Sequence, residues 1–72
     1  MKKCYVMFRF EGQYRIEQYY RPKKRRDIYK DLKRGFINIP YGHRKVEIPL
    51  EDIVGYRENK EDFHDDFPQL FI

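Results

Sequence analysis

The sequence predicts a mainly β, α+β domain in the order ββ-α-ββ-β, a small five-stranded fold with one short helix between its halves. Three observations lead there. Apolar residues alternate with period two over several short segments, glycines fall singly between those segments, and one stretch alone carries helical spacing.

The first hairpin joins Cys4–Phe10 to Gln13–Tyr20. Val6, Phe8 and Phe10 lie on one side of the first strand, with Tyr5, Met7 and Arg9 on the other. In the second strand Tyr14, Ile16, Gln18 and Tyr20 alternate with Arg15, Glu17 and Tyr19. Glu11-Gly12 supplies a two-residue turn, with glycine free to take positive φ. Pro22 ends the second strand because it has no N–H to donate. Helical spacing follows over 27–34: Asp27 is the expected N-cap, Ile28 and Leu32 share a face, and Gly35 stops the helix. So short a helix is unstable alone and is expected to dock on the sheet through Ile28 and Leu32. Phe36–Pro40 and Lys45–Leu50 form a second hairpin about Gly42, with Ile37, Ile39, Val46, Ile48 and Leu50 inward. Leu50-Glu51-Asp52 reads as a single 3₁₀ turn and Ile53–Arg57 as the last strand.

Five short strands of this kind can curl into a bent barrel. The strand, one-turn 3₁₀ element and last strand over Leu50–Tyr56 resemble the end of SH3-like barrels, so a small SH3-like barrel is the expected architecture. An open antiparallel sheet with the helix packed on one face is the alternative. The domain is expected to span residues 1–57, with residues 58–72 an acidic-aromatic C-terminal tail. Phe63, Phe67, Leu70, Phe71 and Ile72 punctuate its acids Asp65 and Asp66, so it either docks on the domain or binds a partner. Asp65-Asp66-Phe67-Pro68 resembles the acidic tips of bacterial single-stranded DNA-binding proteins. Those proteins carry a complete oligonucleotide-binding fold that this chain is too short to hold, and their function is not carried over.

A chain of 72 residues makes one domain with a thin core, and 7 Tyr plus 6 Phe carry much of its apolar area. Cys4 is the sole cysteine, so no intrachain disulfide can form; a reducing compartment is expected, with a disulfide-linked secreted dimer as the alternative. No leader pattern precedes the first strand, and no apolar stretch approaches the roughly 20 residues of a membrane span. A soluble, cytoplasmic protein without a membrane partner is the expectation. The net charge of +4 divides unevenly: residues 1–46 hold 14 Lys/Arg and 4 Asp/Glu, whereas residues 47–72 hold 2 and 8. A basic surface and an acidic end follow.

Catalysis has little to build on. The chain has neither Ser nor Thr; Cys4, His43 and His64 show no metal-ligand spacing; and no glycine-rich phosphate loop is present. The expectation is a non-enzymatic protein without cofactor or metal. The pattern with a chemical target is Arg21-Pro22-Lys23-Lys24-Arg25-Arg26 beside Tyr19-Tyr20. Cations neutralise phosphates, and aromatic rings stack on single-stranded bases. The candidate nucleic-acid-binding residues are Tyr19, Arg21, Lys23, Lys24, Arg25, Arg26, Lys30, Lys33 and Arg34, with Tyr20 and Tyr41 as further stacking rings. The partner is thus DNA or RNA, contacted by a basic loop. A protein-interaction module, such as a small inhibitor or accessory subunit, is the alternative, with Asp65, Asp66, Phe67 and Phe71 as partner-binding tail residues. Tail acids folded onto Lys23–Arg26 would mask the phosphate site.

Overall fold

In the computed structural model, which describes residues 2–71, the chain first reverses at Glu11 and Gly12. Their φ angles of 51° and 78° are the paired positive values of a type I′ turn, whose twist matches that of the strands it joins. The turn fixes the register of β1 (Lys2–Phe10) and β2 (Gln13–Arg21) from Phe10↔Gln13 to Lys2↔Arg21. Lys24 then takes an extended conformation, and its carbonyl accepts from the N–H groups of Asp27 and Ile28, both at 3.1 Å. Helix α1 therefore runs Arg25–Arg34, three residues earlier than an Asp27 cap would allow. Arginine is a good helix former, and Asp27 takes a favourable place in the first turn. Gly35, at φ 81°, closes the helix with its N–H on the Asp31 carbonyl.

Strands β3 (Phe36–Tyr41) and β4 (Arg44–Pro49) form the second hairpin about Gly42-His43. Gly42 has φ 67° and comes first, as a type II′ turn requires. Leu50–Asp52 makes one 3₁₀ turn, and β5 (Ile53–Arg57) pairs antiparallel with β1. Register shifts between Met7↔Gly55 and Phe8↔Ile53, leaving Val54 as an extra residue in β5.

The fold is thus mainly β: five strands in two antiparallel sheets, ordered β2-β1-β5 and β3-β4, with one helix between the halves. Among the described residues no hydrogen-bonded ring closes, so the open arrangement holds rather than the closed SH3-like barrel. The sheets meet across one core of Cys4, Val6, Phe8 and Tyr19 from the first and Ile37, Ile39 and Ile48 from the second. Phe10, Val46, Leu50, Ile53 and Tyr56 pack around it.

Strand β1 is buried on both faces. Met7 points away from that core yet is fully buried, and so is Phe63 of α2 (Asp62–Asp66). Arg57, opposite Tyr5 in register, lies over the Phe63 ring at 5.9 Å, so the segment after β5 covers the second face of the first sheet. A 3₁₀ turn over Pro68–Phe71 follows; Ile72, read with the tail, lies outside the described residues.

Helix α1 does not seal against the sheets as its Ile28 and Leu32 pattern suggests. It buries no residue, and Leu32 is 58% exposed. It is anchored at its C-terminal end, where the Leu50 N–H donates to the Gly35 carbonyl at 3.0 Å and Arg34 lies 5.2 Å from the Phe36 ring centroid. Among the described residues no helix is long and apolar enough to cross a membrane.

Candidate nucleic-acid interface

The basic run occupies the passage from β2 into α1. Lys23 and Lys24 form the connection, and Arg25 and Arg26 open the helix. All four side chains are exposed. Lys24, at the N-cap, makes no side-chain capping bond, so the N–H groups of Arg25 and Arg26 keep their unpaired positive ends. Placing cations there opposes the helix dipole, at about 0.3–1 kcal/mol per charge. Asp27 offsets part of this, with Arg26 Nε 3.8 Å from its Oδ1. The local field is thus strongly positive, and an anion would lower its energy.

Around the helix, Lys30, Lys33 and Arg34 border a shallow depression with Pro22, Asp27 and Asp31. Arg34 is committed to Asp31 at 2.5 Å, whereas no ion pair engages Lys23, Lys24, Arg25, Lys30 or Lys33 among the described residues. Arg21, at the end of β2, stacks over the Tyr56 ring at 4.3 Å. Its guanidinium belongs partly to the wall of the domain.

Tyr19 is placed apart from these cations. It faces Cys4 across the sheet, is 7% exposed and packs on Tyr56 with ring centroids 5.9 Å apart. Burial pushes its phenol up to about 12, with the neighbouring Tyr56 adding to the shift. Burial also raises the Tyr56 phenol and the Cys4 thiol, each partly countered by the Arg21 cation. A thiol so placed is held in its unreactive protonated form. The aromatic presented beside the run is instead Tyr20, 52% exposed on the opposite face, with Lys3 directly across from it on β1. Tyr14, 49% exposed and paired with Arg9, repeats that aromatic-cation arrangement farther along the same face. The sequence places Tyr20 with Tyr14; the register to Cys4 decides which set of tyrosines is buried. Tyr41 is engaged with Phe10 at 5.4 Å and with Arg15 at 5.3 Å.

The tail residues are engaged internally. Asp66 Oδ2 accepts from Arg57 Nε at 2.5 Å, Phe67 lies 5.3 Å from the same guanidinium, and Phe71 stacks on His64 at 3.8 Å. Asp65 is exposed. Among the described residues no tail carboxylate pairs with Lys23–Arg26, so the basic run is unmasked. Comparison with protein-family models gave no match to the chain, and neither curated proteins nor solved structures gave one.

Proposed function

We infer that the protein is a small, non-catalytic nucleic-acid-binding module of a soluble, cytoplasmic setting. The strand-to-helix junction Lys23–Arg26 contacts phosphates, and Tyr20 stacks on an adjacent base. The observation that carries this reading is the set of four exposed cations at an uncapped helix N-terminus. Such a junction is electrostatically unfavourable without a ligand, and bound phosphate offsets it through charge and unpaired N–H groups together. Tyr20 with Lys3 opposite it supplies the stacking platform and a further phosphate contact. Binding of this type is carried by the backbone and has little sequence preference.

Fluorescence anisotropy with labelled single-stranded DNA and RNA 20-mers tests the reading across a salt series. Four neutralised phosphates give log K against log[salt] a slope of about −2.8. Changing Lys23, Lys24, Arg25 and Arg26 together to Ala flattens that slope, and Tyr20→Ala weakens binding by about 1–3 kcal/mol. A flat response in the native protein, or unchanged binding by the quadruple variant, overturns the reading.

A further inference from the structure

An apolar groove of about 320 Å³ separates α1 from the end of the first sheet. One wall is α1, with Ile28 and Leu32; the other is β5, with Leu50 before it and Ile37 at the floor. Four consecutive β5 residues, Ile53, Val54, Gly55 and Tyr56, line it. The bulge at Val54 interrupts the alternation of faces at this point of the strand, beside its outer edge. β5 ends its sheet beside β1, and among the described residues its other edge has no strand partner. Such an edge is a template for an added strand.

We propose that this groove receives an extended, acidic-apolar peptide segment of a partner protein, which pairs with the free edge of β5 and buries its apolar side chains against Ile28 and Leu32. Charge selects the occupant. Outside the Lys23–Arg26 junction, residues 21–34 hold four cations (Arg21, Lys30, Lys33 and Arg34) against Asp27 and Asp31, a balance of +2, and Arg21 itself lines the groove. Lys30, Lys33 and Arg34 border the adjoining depression, which shares Pro22 and Asp31 with the groove. Within the groove Asp31 is already neutralised by Arg34. The chain's own acidic segment cannot serve from its present position, because Phe63 and Asp66 hold it on the far face of the sheet. The edge accommodates a five-residue strand, about 17 Å of extended chain. Main-chain pairing supplies affinity and the apolar walls supply selectivity, as in other strand-addition complexes. This surface is distinct from the Lys23–Arg26 junction and does not depend on nucleic-acid binding.

The test selects binders from a displayed library of random dodecapeptides and measures the winning synthetic peptides by isothermal titration. The expected winners combine Asp or Glu with alternating apolar residues. They shift and protect the β5 amides of 53–56 in NMR spectra, and they lose at least tenfold in affinity for Leu32→Glu. Leu32 is exposed, so that variant keeps the native melting temperature. The quadruple Lys23–Arg26 alanine variant retains the β5 amide shifts while losing oligonucleotide binding, which separates failure of one reading from failure of the other. The proposal is overturned if no peptide is enriched, if the winners bind Leu32→Glu equally, or if they perturb another surface. It is also overturned if sedimentation shows a dimer that Leu32→Glu abolishes, because a second copy then fills the groove. An oligonucleotide that shifts the same β5 amides overturns it as well.

Discussion

Arg57 donates from Nε to Asp66 at 2.5 Å while its guanidinium lies over the rings of Phe63 and Phe67, at 5.9 and 5.3 Å. One β5 side chain thus receives the acid and two aromatics of the following segment. The two kinds of contact differ greatly in worth. Phe63 is fully buried, and its truncation to Ala is expected to cost about 3–5 kcal/mol. The Arg57–Asp66 pair is partly exposed, at 30% and 48%, so Asp66→Ala is expected to cost under about 1 kcal/mol. Urea unfolding of both variants checks the ranking. Equal costs would mean that charge, rather than the buried ring, holds this segment in place.

The start of α1 sets stability against binding. Replacing Lys24 with Asp gives the N-cap a side-chain acceptor and removes a cation from the positive end of the dipole. The variant is expected to gain about 1 kcal/mol and to bind single-stranded oligonucleotides more weakly. Thermal melting and anisotropy on the same samples read both effects, and a variant that gains stability without losing affinity would separate the cap from the phosphate site.

Alkaline pH attacks the core. The folded state holds the Tyr19 phenol up to about 12 and raises those of Tyr56 and the Cys4 thiol above their ordinary values of 10.0 and 9.0. Above those ordinary values the unfolded chain loses protons that the folded chain keeps, so stability falls as pH rises. Tyr19 alone accounts for roughly 1–3 kcal/mol of that loss once the pH has passed its folded value. Chemical denaturation at pH 8, 10 and 11 gives the slope. Tyr19→Phe is expected to reduce it, and an unchanged slope would assign the alkaline transition to other groups.

Glu11 occupies a left-handed conformation that a non-glycine residue adopts at a cost, with φ 51°. Type I′ turns favour Asn-Gly, so Glu11→Asn is expected to add up to about 1 kcal/mol. In a domain of this size that raises the melting temperature by about 4–8 °C. Gly12→Ala is expected to act in the opposite direction, because its φ of 78° disfavours a Cβ.

The hairpins were legible because each couples period-two alternation to a glycine at a turn. Alternation does not by itself say which face is buried. Tyr14, Ile16 and Tyr20 look more apolar than Arg15, Glu17 and Tyr19, yet the Cys4↔Tyr19 register puts the second set toward the core. Met7 stands between Tyr5 and Arg9 and reads as outward; its burial depends on a cover that includes Phe63, from the other end of the chain. Similarly, Asp27 is the conventional cap, but backbone bonds to the Lys24 carbonyl start the helix earlier and draw half of the basic run into it. Long-range packing and backbone geometry decide these points, and neither has a local sequence signature.

The bond from the Leu50 N–H to the Gly35 carbonyl has a mechanical consequence. It fastens the last residue of the helical excursion to the turn that launches β5, so both walls of the groove are clamped at the same end. Any change in gape must then come from the opposite end, where Lys23 and Lys24 join β2 to α1. Through that one bond the width of the slot beside β5 is fixed at its Gly35 end.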